Sequence, residues 1–217
     1  MNRSWNGKTI NFLGDSITQG CGSEIAYPHI VKKLLKLKEA RNYGVSATHI
    51  SGAYEEKFKD SAGSSLSFTK RCLRMEPADL LCIFGGTNDF GHRDTAPLGR
   101  MADREDISFY GALHWLIETV RKNYPQMKIV LFTPLHRCSD PSGEMNPYTG
   151  HTLLEYVEAI RAIAEYYHLP VLDLYQDGPD PRRPKTKELL IPDGLHPNTA
   201  GHQLIAKELI VPFLNAL

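Results

Sequence analysis

Short apolar runs alternate with stretches of helical periodicity along most of the 217-residue chain. Runs rich in Ile, Val, Leu and Phe are typical of strands buried on both faces, whereas apolar residues three and four positions apart are typical of amphipathic helices. The predicted strands are Ile10–Leu13, Arg41–Val45, Asp79–Phe84, Lys128–Pro134 and Pro170–Leu174. The predicted helices are Tyr27–Leu37, Ser65–Arg74, Ile107–Asn123 and Leu153–Tyr167. A last helix follows Pro197, is capped by Asn198 or Thr199 and extends to about Leu214, so that it either tolerates Pro212 or ends near it.

This alternation of strands and helices predicts an α/β fold, in which a parallel sheet is covered by helices on both faces. A chain of 217 residues with a hydrophobic share of 41% is long enough to bury a substantial core. We therefore expect a single domain over residues 1–217. In open α/β sheets ligands bind beyond the carboxyl ends of the strands, so candidate chemistry is sought there.

Charge and hydropathy narrow the classes of partner. Lys plus Arg and Asp plus Glu number 25 each, which leaves no basic excess of the kind that attracts nucleic acid. No stretch approaches the ~20 apolar residues of a membrane span, and residues 1–8 lack the apolar core of a signal peptide. The prediction is a cytoplasmic protein that binds neither nucleic acid nor membrane, while its oligomeric state is not readable from the sequence.

Cysteine and histidine usage predicts neither disulfides nor a metal site. Cys21, Cys72, Cys82 and Cys138 are scattered and contain no Cys-x-x-Cys pair, so we expect free thiols, with Cys82 packed in the core. Nine histidines are present, but no His-Glu-x-x-His sequence occurs. No glycine-rich nucleotide-binding loop occurs either, and no cofactor is expected.

Two polar blocks at opposite ends of the chain carry the residue types of nucleophilic catalysis. Ser16 follows the first predicted strand, and Asp193 and His196 lie three residues apart just before the last helix. A serine hydroxyl needs an adjacent base, and the base needs a third group that fixes its tautomer. One turn can join Asp193 to the imidazole Nδ1 and leave Nε2 facing outward, so the three residues predict one split active site.

A third block, Gly85-Gly86-Thr87-Asn88-Asp89, directly follows the predicted strand Asp79–Phe84. Acyl transfer needs donors aimed at the developing oxyanion, and the Asn88 amide is our candidate. The α/β-hydrolase nucleophile elbow is excluded, because Gly-x-Ser-x-Gly requires glycine where Thr18 stands.

GDSITQG, GGTND and DGLHPN, in this order and at these distances, resemble the SGNH (GDSL-type) hydrolase superfamily. The resemblance runs from about Lys8 to the C-terminus. It implies a flavodoxin-like three-layer α/β/α sandwich with five parallel strands. It also implies that Ser16 is the nucleophile, that His196 is the base, that Asp193 orients the histidine, and that the Ser16 backbone N–H and the Asn88 amide form part of the oxyanion hole.

The remaining block of that family departs from its pattern here. The glycine whose N–H completes the oxyanion hole is replaced by Ala47, in the run Asn42-Tyr43-Gly44-Val45-Ser46-Ala47. A backbone N–H survives the change, but positive φ becomes costly for a residue with a Cβ. We expect Ala47 to be the third donor, with Gly44 as the alternative, and we expect Asp15, Gly44 and Gly86 to lie at the substrate-binding site.

Long connections at 90–106, 136–150 and 175–192 are expected to frame the pocket and to set substrate choice. Their polar residues are candidates for substrate contact, although solvated surface positions are the simpler interpretation: Arg93, Arg100, His136, Arg137, Tyr148, Arg182 and Arg183.

The predicted function is a serine esterase acting on short acyl esters, such as acetyl esters, of a small molecule or carbohydrate. Three alternatives stay open: a lysophospholipase or thioesterase, an acyltransferase that uses the same residues, and a non-catalytic carbohydrate-binding module on the same fold.

Overall fold

The computed structural model describes residues 4–52, 66–92, 96–138 and 145–217. Its centre is a sheet of five strands in the order β2-β1-β3-β4-β5, and every neighbouring pair is parallel. The strands are β1 Thr9–Gly14, β2 Glu39–Gly44, β3 Leu80–Phe84, β4 Lys128–Phe132 and β5 Val171–Leu172. This is the predicted fold class, a flavodoxin-like α/β/α sandwich with five parallel strands.

Helices cover both faces of the sheet. They are α1 Ser16–Gln19, α2 Tyr27–Leu35, α3 Phe68–Arg71 with a 3₁₀ turn at Cys72–Arg74, α4 Thr87–Gly91, α5 Phe109–Asn123, α6 Leu153–Tyr167, α7 Leu174–Asp177, α8 Pro184–Lys187, α9 Thr199–Leu204, a π-helical segment Ile205–Ile210 and α10 Val211–Ala216.

Apolar alternation along the central strands builds one core on each face. In β3, Leu81 and Ile83 belong to the core beneath α5 and α6, whereas Leu80, Cys82 and Phe84 belong to the core beneath α2 and the C-terminal helices. All residues of β1 and β3 are buried, as expected for strands that are covered on both sides. The polar blocks that follow these strands consequently emerge at one edge of the sheet.

Most predicted elements are confirmed, with differences at their ends. The helix Leu153–Tyr167 has the predicted bounds, and its N-terminus carries a capping box formed by Thr152 and Glu155. The part of the predicted helix 65–74 that the structure describes is a short α3 and a 3₁₀ turn; Ser65 lies outside the described residues. Strand β5 is confined to two residues, because Asp173 caps α7 immediately afterwards.

The C-terminal helix begins as predicted, since the Asn198 side chain accepts a hydrogen bond from Gly201 N–H at 3.0 Å. It continues past Pro212, which lies in the first turn of α10, two residues after the end of the π-helical segment. Proline lacks the N–H that would continue the i→i−4 ladder. The helix nevertheless continues beyond this residue, so it tolerates Pro212 rather than ending at it.

Candidate active site

Ser16 stands at a tight strand-to-helix turn. Strand β1 ends at Gly14, and α1 begins at Ser16. A Cβ on Gly14 would lie 1.9 Å from Thr18 Oγ1, so only glycine allows α1 to fold back this closely on the strand. Asp15 caps the helix, because its Oδ1 accepts a hydrogen bond from Ile17 N–H at 3.0 Å. The turn thereby holds Ser16 at the carboxyl edge of the sheet.

The second block folds into the predicted single turn. Nδ1–H of His196 donates to Asp193 Oδ2 at 2.5 Å, and Asp193 Oδ1 accepts from the N–H groups of Leu195 and His196 at 2.9 and 3.0 Å. Gly194 has a φ of +61°, and a Cβ there would lie 1.8 Å from Cys138 Sγ. The turn thus requires glycine between the aspartate and the histidine.

The two blocks meet through one hydrogen bond. Ser16 Oγ lies 2.8 Å from His196 Nε2, although the residues are 180 positions apart in the chain. Because Nδ1–H donates to Asp193, Nε2 is left as the acceptor for the serine hydroxyl. Partial burial raises the pKa of Asp193, but the hydrogen bonds from His196 and from the Leu195 N–H together outweigh it and leave that pKa below its ordinary value. A deprotonated aspartate, an imidazole and a hydroxyl are thus aligned as proton transfer from serine requires.

Asn88 lies where β3 passes into α4. Gly86 takes a φ of +103° at the N-cap of α4, which turns the chain after the strand. The buried Asn88 amide donates one Nδ2–H to Thr48 O at 2.9 Å. Because an amide nitrogen carries two hydrogens, this bond fixes the orientation of the side chain and leaves the second hydrogen available.

Ala47 adopts the backbone conformation that glycine favours. Its φ is +63°, and the other two non-glycine residues with positive φ in the described ranges, Lys36 and His168, end helices. No acceptor reaches the N–H groups of Ser16 or Ala47 among the residues that the structure describes. The N–H of Gly44 donates instead to Asn42 Oδ1 at 2.8 Å, which favours Ala47 over Gly44 as a donor.

The three residues predicted to contact substrate have identifiable structural roles. Asp15 is buried beneath the turn that carries Ser16, and burial raises its pKa to about 6, opposed mainly by the Ile17 N–H. A Cβ on Gly44 would lie 2.2 Å from Gln19 N, so this glycine lets β2 pack against α1. Gly86 begins α4. Their contact with substrate stays a prediction.

Three further residues, whose roles the sequence did not predict, tie the ends of β1, β2 and β3 together. Arg71 is buried and donates to carbonyls at the ends of β1 and β2 and to Thr48 Oγ1. The buried carboxylate of Asp89 accepts from the N–H groups of Ile50 and Ser51 at 3.0 and 3.3 Å, and burial raises its pKa. We refer to Ala47, Thr48, Arg71, Asn88 and Asp89 as the strand-end cluster.

No sequence pattern singled out Arg71 or Thr48, because their partners are distant in the chain. Asp89 adjoins the predicted donor Asn88, and a carboxylate in the first turn of a helix is an ordinary capping residue. Only the fold shows that it binds the backbone of residues 50 and 51.

The pocket-framing connections are described only in part, since Arg93 and residues 139–144 lie outside the described residues. His136 is buried rather than a solvated surface residue, with its ring centroid 3.7 Å from that of Tyr175. Arg182 Nη2 lies 2.9 Å from the His136 ring nitrogens and also donates to Asp180. Arg137 donates to Thr87 O at 3.0 Å, next to Asn88. Arg137 thus joins the connection 136–150 to the first turn of α4.

The structure also shows the state of the cysteines, the grouping of potential metal ligands and the length of the apolar helices. No disulfide joins the four cysteines, as predicted, and Cys82 is fully buried. Within the described ranges, no group of three or more potential metal ligands occurs. No helix in the same part of the chain has the length and apolar character needed to cross a membrane.

A 2-1-3-4-5 parallel sheet with a hydrogen-bonded serine, histidine and aspartate at its carboxyl edge is typical of serine hydrolases with a three-layer sandwich. The chain belongs to the GDSL-like lipase/acylhydrolase family, because the sequence profile of that family matches residues 12–204. Membership of this family implies hydrolase activity.

Solved structures share the fold of this chain. A protein from Lactobacillus plantarum is 31% identical, with 97% of this chain and 98% of that chain covered and a TM-score of 0.82. A lipase/acylhydrolase from Enterococcus faecalis is 23% identical, with 96% of both chains covered and a TM-score of 0.66. A possible lipase from Chitinophaga pinensis is also 23% identical, with 96% of both chains covered and a TM-score of 0.67. The last two show the shared fold alone. No curated protein matches the chain.

Proposed function

We propose that this protein is a serine esterase that hydrolyses short acyl esters, such as acetyl esters, of a small molecule or carbohydrate. The observation that carries the proposal is the continuous path from Asp193 through His196 to Ser16, with heavy-atom separations of 2.5 and 2.8 Å. Both distances are those of hydrogen bonds: the bond from Ser16 to His196 can carry the proton in an acyl-transfer reaction, and the bond from His196 to Asp193 holds the imidazole in the tautomer that accepts it.

Ser16 Oγ attacks the ester carbonyl while His196 Nε2 takes the hydroxyl proton. Asp193 holds Nδ1–H and stabilises the imidazolium that forms. The oxyanion accepts hydrogen bonds from the backbone N–H groups of Ser16 and Ala47 and from the second Nδ2–H of Asn88. His196 then protonates the leaving alcohol, and the acyl group stays on Ser16 as an ester.

Water completes the cycle by the same route. His196 takes a proton from the water as it attacks the acyl-enzyme, and the acid leaves when Ser16 recovers its proton. The preference for a short acyl group rests on the sequence, in which no extended apolar lid segment is recognisable.

The test is hydrolysis of p-nitrophenyl esters from acetyl to palmitoyl, with Ser16→Ala as the loss-of-function variant. Ser4→Ala, at an exposed serine outside the site, is the matched control. We expect turnover to peak at acetyl or butyryl, to persist in Ser4→Ala and to fall about 10⁶-fold in Ser16→Ala.

Other outcomes contradict specific parts of the proposal. Full turnover by Ser16→Ala would exclude Ser16 as the nucleophile, and a peak at palmitoyl would point to a lipid acylhydrolase. Transesterified product on addition of an acceptor alcohol would indicate acyl transfer. No turnover of any ester, together with no covalent labelling of Ser16 by a fluorophosphonate, would favour a binding module.

A further inference from the structure

Arg71 is a buried cation whose hydrogen bonds run to neutral acceptors. Its side chain is only 6% exposed, lies 4.8 Å over the Phe68 ring and makes no ion pair among the described residues. Nε donates to Leu66 O at 2.6 Å, and burial lowers the pKa of the guanidinium to about 10, so it stays protonated at neutral pH. Burying a charge is costly unless its donors are satisfied, so the acceptors indicate what Arg71 does.

The acceptors lie at the two strand ends that carry the site. Nη1 donates to Tyr43 O, one residue before the end of β2, and Nη2 donates to Gly14 O at 3.0 Å, at the end of β1. Gly14 is two residues before Ser16. The rigid, planar guanidinium of Arg71 therefore fixes the distance between the turn that carries Ser16 and strand β2, which leads to Ala47.

Thr48 extends this connection to the oxyanion donors. Arg71 Nη2 donates to Thr48 Oγ1 at 2.9 Å, and Thr48 Oγ1 donates in turn to Val45 O at 2.7 Å. The second bond closes the turn that contains Ala47 at positive φ. The backbone carbonyl of Thr48 accepts the Asn88 Nδ2–H, so Thr48 contacts both sides of the predicted oxyanion hole.

We propose that Arg71, acting through Thr48, is a positioning residue that sets the Ala47 N–H and the Asn88 amide relative to Ser16. The inference rests on the proposed esterase function, because it assigns these groups to the oxyanion of an acyl-transfer reaction. Arg71 does not contact the reacting atoms. It acts on turnover by fixing where the donors stand, and a displacement of about 1 Å can cost about 100-fold in rate.

The test compares Arg71→Met, Arg71→Lys, Thr48→Val and Thr48→Ser with Arg121→Met. Arg121 is the matched control, since its Nη2 also donates to a carbonyl, Tyr167 O at 2.9 Å, and its guanidinium lies 5.1 Å from an aromatic ring centroid. All variants are assayed well below their unfolding temperatures, with p-nitrophenyl acetate, and kcat is normalised to the sites labelled by a fluorophosphonate.

We expect Arg71→Met to lower kcat per labelled site by about 10- to 100-fold with little change in KM, and Arg121→Met to leave both unchanged. Arg71→Lys should lose less kcat than Arg71→Met, and Thr48→Ser should lose less than Thr48→Val, because the conservative variant of each pair keeps a hydrogen-bond donor. In an Asn88→Ala background the cost of Arg71→Met should shrink, since part of its effect passes through Asn88.

A second readout does not depend on ester turnover. The side-chain amide resonances of Asn88 should shift in Arg71→Met and Thr48→Val but stay in place in Arg121→Met. Normal kcat per labelled site and unmoved Asn88 resonances in Arg71→Met would overturn the positioning role while leaving the esterase intact. If the wild type hydrolyses no ester, the proposed function fails, and the Asn88 resonances still decide whether Arg71 positions the amide.

Discussion

The two halves of the site are held by different kinds of contact. The His196 turn, which we define as residues 190–197, is closed mainly by local bonds such as Gly194 N–H to Ile191 O and Ile191 N–H to His196 O, both 2.9 Å. Its Asp193 side chain is 41% exposed. The strand-end cluster is held mainly by bonds between residues 23 to 57 positions apart, and its Thr48, Asn88 and Asp89 are at most 4% exposed.

Because of this difference, substitutions in the two halves should affect turnover and stability in different ways. A half built from local, solvent-accessible contacts can lose a side chain with little effect on the rest of the fold. A buried polar cluster cannot, because removing one member leaves another without a partner. We therefore expect substitutions in the His196 turn to abolish turnover in a folded protein, and substitutions in the strand-end cluster to affect turnover and stability together.

The largest effect should come from His196→Ala. We expect kcat to fall about 10⁶-fold, because the serine loses its base, and Asp193→Asn to cost about 10⁴-fold through the tautomer of His196. The free energy of unfolding, measured in urea at neutral pH, should change by less than about 1 kcal/mol in His196→Ala. Substantial unfolding of that variant under assay conditions would contradict the claim that the His196 turn can lose a side chain without affecting the rest of the fold.

Asn88→Ala should have a smaller effect on rate and a larger one on stability. Loss of one oxyanion donor is expected to lower kcat by about 10²- to 10³-fold. Thr48 O would lose its partner in a buried site, at a cost of about 1–3 kcal/mol in the free energy of unfolding. A variant with unchanged stability would show that Asn88 is not part of the structural cluster.

His202 predicts a pH dependence of stability behind the His196 turn. Its ring is fully buried and its Nδ1 accepts from Tyr27 N–H at 3.2 Å; burial, aided by the charge of His196, lowers its pKa to about 4. The folded state holds the neutral imidazole while the unfolded state takes up a proton near pH 6.5. Stability from this residue is thus complete above pH 6.5 and is lost as the pH falls towards 4, by about 3 kcal/mol.

The measurement is the free energy of unfolding between pH 7 and 4 for the wild type and His202→Asn, which keeps an acceptor for Tyr27 N–H. Asp15, with its pKa raised to about 6, acts in the opposite direction, since its stabilising contribution is lost as the pH rises through 6. The difference between the two proteins cancels Asp15 and isolates His202. A pH-independent difference would contradict the prediction.

Ala47→Gly should have the smallest effect. Glycine removes the cost of positive φ in a residue with a Cβ, which stabilises the fold by about 1 kcal/mol, and it keeps the backbone N–H, so kcat should hold within about twofold. Lys36→Gly is the control, because Lys36 has a φ of +53° at a helix end away from the site. Thermal unfolding should show similar stabilisation in both variants; a large loss of kcat in Ala47→Gly alone would show that the Cβ itself shapes the site.

The contrast also explains what the sequence could predict. Asp193 and His196 form their bond within one turn, so their spacing in the sequence was enough to predict it. Strands β1, β3 and β4 followed from apolar runs that need burial on both faces. Arg71 has no such local signature, because its acceptors at Gly14, Tyr43 and Thr48 are brought together only by the order of the strands. Helices α7 and α8 are too short to show helical periodicity, so most of their segment was predicted to be a long connection.

The 180-residue separation between Ser16 and His196 has a consequence for how the molecule is made. A second bond, from Trp5 Nε1–H to Leu214 O at 2.8 Å, joins segments 209 residues apart. Closing such loops is slow, and contacts of this range complete a fold rather than begin it. We expect a nascent chain to carry an unactivated serine until its last helix docks, so that recovery of reactivity marks the end of refolding.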